Sequence, residues 1–160
     1  MKTQLIHIQK SAAARSENHE YILQCQAVRR SVFVVGQGVH EEVDFDGKDT
    51  SCAHLLLLLG EEAVGTLRIR RTDEGTKLER IAVLDTHRGK QFGKLLVETA
   101  LALVSGMVYL HAQTRSEGFY QKVGFIVEDP TIYLEDDIPH VTMIWPKGQG
   151  VTPCTITTLS

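Results

Sequence analysis

The sequence predicts a mixed α/β domain, in which helices cover both faces of a mostly antiparallel sheet. Three strand patterns at residues 54–59, 64–71 and 78–84 follow one another across short turns, as in an antiparallel meander. An apolar stripe at helical spacing covers residues 92–104. The chain has 160 residues, a length at which one domain buries a sufficient core without disulfides or metal.

The N-terminal part predicts one strand, one helix and one loop before this meander. Residues 4–8 alternate weakly and predict the first strand, and a helical pattern begins at Ser16. The apolar face of that helix is formed by Tyr21, Cys25, Val28 and Val32. Residues 36–49 are rich in glycine and acidic side chains, which is typical of a loop.

The C-terminal part completes the order β-α-β-β-β-α-β-α-β-β. Residues 107–112 predict a strand, and residues 116–123 a short helix that Gly124 ends. Short apolar runs at 125–127 and 141–145 predict the last strands. We expect one domain over 1–146 and a tail over 147–160. The tail is either disordered or adds an edge strand at Thr155–Leu159.

Composition narrows the classes of partner and compartment. The net charge is −3 and lacks the basic excess of a nucleic-acid binder. Cys25, Cys52 and Cys154 are odd in number and form no CxxC pair, which favours a reducing compartment and argues against disulfides or zinc. The longest apolar run, 55–59, is too short to span a bilayer, and the N-terminus lacks a signal-peptide pattern. We therefore expect a cytoplasmic protein with no metal, membrane or nucleic-acid partner.

The most informative segment, residues 78–96, is a strand that enters a basic loop and then a helix. The free N–H groups and the dipole of a helix start form an anion site, and Arg88, Lys90 and Lys94 add positive charge. The alternative is an ordinary basic loop before a capped helix. A Walker loop fits poorly, because Leu95 stands where the magnesium-binding hydroxyl belongs. A dinucleotide-binding fingerprint also fails, because no GxGxxG is present.

A second segment, residues 111–125, combines a strand end, a short helix and the pair Phe119-Tyr120. Tyr120 is either a general acid or a tyrosine that packs into the core. Taken alone, the pattern favours the core position.

Together the two segments resemble the GNAT superfamily of N-acetyltransferases. The pyrophosphate motif of that family, Q/R-x-x-G-x-G/A, corresponds to residues 88–93, with Gln91 where the family has glycine. The later family motif matches at Phe119, Tyr120, Gly124 and Phe125, while Gln113 and Ser116 stand for its Asn and Ala. Residues 28–39 and 138–143 also resemble a branch of small predicted acyltransferases, so the similarity covers about residues 3–145.

The resemblance implies an acetyl-CoA-dependent N-acetyltransferase with a splay between its fourth and fifth strands. Tyr120 would protonate the departing thiolate. The residues expected to hold acetyl-CoA are Ile81, Ala82, Val83, Arg88, Gly89, Lys90, Gln91, Phe92, Gly93, Lys94 and Gln113. We expect Gln91 to be tolerated because a helix start needs only negative φ.

Glu79 is the first candidate for the general base that must deprotonate the amine. It matches the position of a carboxylate base in some family members, and period two would place it on the same face as Ile81 and Val83. The alternative is a surface or paired glutamate. His140, before an apolar strand, is the second candidate, since imidazole titrates near neutral pH. A structural histidine is the alternative there.

The acceptor side is expected along the first helix and the loop after it. Arg29, Phe33, Gln37 and His140 are candidate contacts to the acceptor. The acidic run within residues 41–49 either attracts a cationic amine or is a solvated loop. The preferred acceptor is a primary amine of a small molecule. A protein N-terminus or lysine, and a non-catalytic acyl-CoA-binding module, are the alternatives, and the chain is expected to be a monomer or homodimer.

Overall fold

The computed structural model describes residues 1–148 and 154–160, and confirms the predicted fold class. Eight strands form one sheet in the order β6-β7-β5-β4-β3-β2-β1-β8. The strands are β1 Thr3–Ile8, β2 Ala53–Leu59, β3 Glu62–Thr72, β4 Gly75–Val83, β5 Val108–Gln113, β6 Ile126–Glu135, β7 Ile138–Ile144 and β8 Ile156–Leu159. The α-helices are α1 Lys10–Ala13, α2 His19–Arg29, α3 Glu41–Asp44, α4 Phe92–Leu103 and α5 Glu117–Val123.

Strands β2, β3 and β4 form the predicted antiparallel meander, β1 pairs antiparallel with β2, and β5 joins β4 in parallel. The last hairpin is longer than predicted, because β6 extends to Glu135 instead of ending at 127. Pro130 and its acidic neighbours hide the strand in the sequence, and the exposed outer edge of β6 tolerates them. The tail forms β8, which pairs in parallel with β1, while residues 149–153 lie outside the described part.

β4 and β5 separate soon after they meet. They pair only at Thr76↔Val108 and Lys77↔Tyr109. A bulge follows in β4, where the register with β3 shifts and Arg80 adopts a φ of 54°. The two strands beyond this point form the sides of an open V, as the resemblance implies.

The bulge also changes which side of the sheet each β4 residue faces. Ile81 and Val83 pack against the core beneath α4, whereas Ala82 packs with Val28 and Val32 on the α2 side. Glu79 lies on the α2 side, where its carboxylate meets Arg68. The expectation that Glu79 shares a face with Ile81 and Val83 is therefore wrong, because the extra bulge residue interrupts the period-two alternation.

The helices lie on both faces, as predicted. α4 packs over β2, β3 and β4, and α2 packs on the opposite face of the same three strands. After Arg29 the helix continues as a π-helical segment, Arg30–Val35, that reaches the open V. The predicted loop 36–49 contains the short helix α3 and folds back onto the sheet. Within the described residues no helix has the length and hydropathy needed to cross a membrane.

Candidate active site

The loop at residues 88–94, which we call the phosphate loop, lines a crevice of about 370 Å³. Arg88, Gly89, Gln91, Phe92, Gly93 and Lys94 contribute to its wall, whereas Lys90 is exposed and does not. The first turn of α4 leaves its backbone N–H groups without intrahelical acceptors. A Cβ added at Gly93 would lie 3.3 Å from Phe119 Cζ, so the glycine keeps this crevice open. These features suit an anion such as a pyrophosphate.

Gln91 adopts a left-handed conformation, with φ 66° and ψ 15°. The expectation of a helical φ at this position is therefore wrong. Gln91 is the N-cap residue and not the first helical residue, and the chain reverses here between Gly89, at φ 78°, and α4. The glycine that the family has at this position therefore permits a positive φ, which glutamine adopts here at a steric cost.

A second cavity, of about 860 Å³, passes through the open V and adjoins the phosphate crevice. Both are lined by Val83, Arg88, Gly93 and Phe119. The predicted residues Ile81, Ala82, Val83, Gln113, Phe33 and Gln37 all line the larger cavity, together with Glu79, Tyr120 and His140. Tertiary structure thus brings most of the candidate residues to one continuous space.

Tyr120 reaches this cavity from the α4 side of the sheet. Its ring is 9% exposed and packs edge-on against Phe119 and Phe125. Burial raises the pKa of its phenol, which keeps the group protonated near neutral pH. Its hydroxyl finds no hydrogen-bond partner among the described residues, so the O–H remains available to a ligand in the cavity.

Nine charged side chains form an ion-pair network on the α2 side of the sheet. Its members are Arg29, Asp44, Asp46, Asp49, Arg68, Arg70, Lys77, Glu79 and Arg80. Arg68, which is 1% exposed, donates to Asp46, Asp49 and Glu79 at 2.7–3.0 Å. The three aspartates of the acidic run are therefore neither solvated nor free to attract an amine, because they neutralise buried arginines, whereas Glu41 and Glu42 are exposed.

Arg29 belongs to this network and does not line the cavity. It is 1% exposed and bonds Asp49 Oδ1 at 2.7 Å and the Asp44 carbonyl oxygen at 2.8 Å. We therefore remove Arg29 from the candidate acceptor contacts. A buried arginine requires such partners, and its helical position gave no sign of them.

Glu79 lines the cavity, yet its carboxylate is fully engaged. Arg68 and Arg70 donate to Oε1 at 2.7 Å each, and Lys77 Nζ lies 3.2 Å from Oε2. Burial alone would raise the pKa of Glu79, but the hydrogen bond from Arg70 and the charges of Arg68 and Lys77 lower it to about 2. A carboxylate held this acidic is a weak proton acceptor at neutral pH.

A histidine cluster, which the sequence did not reveal, lies at the cavity on the same side as Glu79. It consists of His111, Tyr133, Glu135 and His140. Glu135 lies between the two histidines, 2.6 Å from His111 Nδ1 and 3.7 Å from His140 Nε2. His140 Nδ1 donates to the Ile138 carbonyl oxygen at 2.7 Å. The alternation of β5 predicts that His111 and Gln113 share a face, but Glu135 lies in the part of β6 that was not predicted.

Two contacts bridge the α2 side of the cavity. Gln113 Nε2 donates to Gln37 Oε1 at 2.8 Å, which links β5 to the chain after the π-helical segment. His40 Nδ1 and Asp136 Oδ1 lie 2.6 Å apart, and the His40 backbone N–H donates to Asp136 Oδ2 at 2.8 Å. The turn between β6 and β7 is thereby tied to the loop before α3.

The described residues offer little support for cysteine-dependent or metal-dependent chemistry. Cys25, Cys52 and Cys154 are free, and burial raises the pKa of the Cys25 thiol to about 11. Residues 1–148 and 154–160 contain no group of three His, Cys, Asp or Glu side chains arranged to hold a metal ion. The absence of a metal requirement stays a prediction.

Comparisons with known proteins agree with this geometry. Residues 18–125 match the model of the acetyltransferase (GNAT) family. The chain is 36% identical over 132 residues to the uncharacterized protein YyaT of Bacillus subtilis, covering 78% of this chain and 88% of that one. It is 34% identical over 137 residues to YjcF, an uncharacterized N-acetyltransferase of the same organism, covering 82% and 97%. The crystal structure of Escherichia coli ElaA superimposes with a TM-score of 0.75 at 29% identity, covering 89% of this chain and 99% of that one.

Proposed function

Because this chain belongs to the GNAT family of acetyltransferases, we propose that it transfers the acetyl group of acetyl-CoA to a primary amine of a small molecule. The observation that carries this proposal is the pair of adjoining cavities, one at the phosphate loop and one through the open V. The cavity at the phosphate loop suits the pyrophosphate. The cavity through the open V suits the thioester, which an acceptor amine would approach from the α2 side.

On the donor side, the residues divide into those that hold the nucleotide and those that hold the acyl arm. The first-turn N–H groups of α4 would bind the pyrophosphate, with Arg88 and Lys94 beside them. Backbone groups of Ile81–Val83, freed from β5 pairing by the splay, would bind the pantetheine arm and thioester carbonyl. The Gln113 amide already bonds Gln37 and Arg115, so it would contribute to the arm only by exchanging one of these partners.

Tyr120 is the group we propose as general acid. Its protonated hydroxyl faces the cavity without a protein partner, and a departing thiolate needs a proton. A non-catalytic acyl-CoA-binding module would have no use for such a group. Glu79 we infer to be an anchor for the arginines of β3, since its oxygens are already occupied.

The acceptor space favours a small amine over a polypeptide. The Gln37–Gln113 and His40–Asp136 contacts cross the α2 side of the cavity, where a peptide chain would need an open groove. Phe33 and His140 offer one apolar and one polar wall for a compact ligand. A cytoplasmic location stays a prediction, based on the cysteine pattern.

Release of free CoA thiol across a panel of amines tests the proposal. The panel combines spermidine, glucosamine, 2-phenylethylamine and amino acids with peptides that present an N-terminus or a lysine. We expect acetyl-CoA-dependent release with a small amine and none with the peptides. Faster release with a peptide would favour protein acetylation. Tight binding of acetyl-CoA by calorimetry, without release from any amine, would favour the binding module.

A further inference from the structure

The last residues that pair β4 with β5 determine what lies at the base of the open V. Lys77 and Tyr109 are paired, so two residues further along each strand place Glu79 and His111 opposite each other across the opening. Leu110 and Ala112 belong to the core beneath α4, and His111 therefore lies on the α2 side. Because Tyr120 enters from the α4 side, His111 and Tyr120 line one cavity from opposite faces of the sheet.

The ring of His111 is held in one orientation. Tyr133 packs edge-on at 5.4 Å between ring centroids, and Tyr109 packs at 5.8 Å. Glu135 Oε1 lies 2.6 Å from Nδ1. Burial alone would raise the pKa of Glu135, but the hydrogen bond and charge of His111 outweigh it and lower that pKa. An ionised carboxylate only accepts, so Nδ1 carries the proton, and in the neutral imidazole Nε2 presents its lone pair.

His140 cannot take the same role as readily. Its Nδ1 donates to the Ile138 carbonyl oxygen, and its Nε2 is the atom nearest Glu135, at 3.7 Å. The carboxylate of Glu135 therefore lies on the Nε2 side of the His140 ring. Nε2 of His111, by contrast, has no partner among the described residues, and its side chain is 27% exposed.

We propose that His111 is the general base of the acyl transfer, and that Glu135 is a positioning residue that holds it in the Nδ1–H tautomer. The proposal rests on the proposed function. It assigns to a histidine of β5 the step for which the sequence favoured Glu79, and the arrangement follows the general pattern of a base that a third group orients.

Acyl transfer would require three proton transfers and one release of a proton to solvent. The acceptor ammonium gives one proton to His111 Nε2, directly or through one water, and the neutral amine attacks the thioester carbon. The C–N bond forms, the C–S bond breaks, and the thiolate takes the Tyr120 hydroxyl proton. The phenolate then receives the remaining excess proton of the new amide nitrogen. His111 releases its proton to solvent, so the products are the amide, free CoA and one proton.

Several charged or titratable groups surround His111. Glu135 and Tyr133 face it from β6, and His140 faces the same carboxylate from β7. Tyr109 lies beside it on β5. On β4, Lys77 and Glu79 line the cavity opposite. The carboxylate of Glu135 is the group that lies nearest to a ring nitrogen of His111, at 2.6 Å.

The key variant is His111→Asn. The asparagine amide retains a donor near the Nδ1 position for Glu135 but has no atom at Nε2. With the amine of the panel that releases CoA fastest, we expect kcat to fall about 10²- to 10⁴-fold, while acetyl-CoA affinity by calorimetry changes less than twofold. In His111→Asn, the acidic limb of the pH profile of kcat should disappear. In His111→Ala, free imidazole should restore part of the rate. His19→Gln, an exposed histidine of α2, is the matched control.

A readout without substrate comes from two-bond ¹H–¹⁵N correlation spectra of the full chain. In its neutral form, His111 is expected as the Nδ1–H tautomer, with this preference lost in Glu135→Ala. An Nε2–H tautomer in the wild type would overturn the proposal. So would an acidic limb that persists in His111→Asn, or one that His140→Gln removes and His111→Asn does not. If no amine of the panel releases CoA from the wild type, the proposed function itself fails, and this inference with it.

Discussion

The donor side and the acceptor side of the cavity are built in different ways. The phosphate loop is one continuous segment, and it would act mainly through backbone groups at the start of α4. The α2 side is built from side chains of α2, α3, β3, β4, β5, β6 and β7 that meet only after folding. A function carried by local backbone leaves a motif in the sequence, whereas one carried by converging side chains does not.

The two sides also differ in how they treat charge. Arg88 and Lys94 are exposed near the phosphate crevice, and Arg88 pairs there with the exposed Asp85 at 2.7 Å. On the α2 side, Arg29 and Arg68 are buried and neutralised within the protein. We therefore propose that charge at the phosphate loop serves binding, and that charge in the ion-pair network maintains the shape of the cavity wall on the α2 side. The predictions below test this division.

The largest effect is expected from Glu79→Gln, which removes the anion between Arg68 and Arg70. Breaking a buried ion pair leaves uncompensated charge, so the free energy of unfolding should fall by about 3–5 kcal/mol. Glu62→Gln, an exposed change at the start of β3, is the control. Urea unfolding measures both variants. If Glu79→Gln unfolds like the wild type but loses turnover, Glu79 is a base and not an anchor.

Acid should weaken the wild type through the same group. The pKa of Glu79 is lowered from 4.5 to about 2 in the folded state. Its stabilisation is fully present above pH 4.5 and is lost as the pH falls through 2, a decrease of about 3 kcal/mol. Asp46 and Asp49, whose pKa values are also lowered, act in the same direction, and Asp44, whose pKa is raised, acts against them. The free energy of unfolding, measured at stepwise lower pH, should depend less on pH in Glu79→Gln than in the wild type. Equal slopes of free energy against pH would contradict the anchor role.

On the donor side, Gly93→Asp should weaken acetyl-CoA binding about 100-fold, or about 2.7 kcal/mol. The new side chain would crowd Phe119 and bring a carboxylate to the phosphate crevice. The matched control is Gly118→Asp, at an exposed glycine that lines neither cavity and has open space around it. Calorimetry with acetyl-CoA compares the two. Equal affinity in both variants would place the phosphate site elsewhere.

Tyr120→Phe should lower kcat at least about tenfold, because the departing thiolate loses its proton donor. The melting temperature should hardly change, since the hydroxyl bonds no described residue. Tyr21→Phe, on α2 and outside the cavity, controls for the loss of a phenol. Turnover and melting temperature are measured on the same preparation. A lower melting temperature with unchanged kcat would return Tyr120 to a purely structural role.

The smallest effect is expected from Gln91→Gly, which should raise the free energy of unfolding by about 0.5–1 kcal/mol. Glycine removes the steric cost of the left-handed φ of 66°, partly offset by greater freedom in the unfolded chain. Lys90→Gly removes no such steric cost, because φ at Lys90 is not positive. This variant should therefore lower the free energy of unfolding slightly. Chemical denaturation of the two variants decides. Destabilisation by Gln91→Gly would show that the glutamine side chain, not its backbone, matters here.

The particular errors of the sequence analysis follow one pattern. Arg29 lies on a helix face that points toward α3, and only the folded acidic loop reveals its carboxylate partners. Glu79 changes face relative to Ile81 because one bulge residue interrupts the alternation. His111 meets Glu135 across strands that are 24 residues apart in the chain. Each error concerns a contact that sequence spacing does not encode.

The sequence by itself determined the fold class, the meander, the phosphate loop with α4, and Tyr120 on α5, because hydrophobic periodicity and short motifs are local properties of the chain. Tertiary structure decided the left-handed Gln91, the ion-pair network and the histidine cluster at the open V. These depend on burial and on pairing between distant segments, which change the charge and backbone preferences of the same residues. The proposed base therefore depends on the packed sheet, and the proposed phosphate site depends on the local sequence.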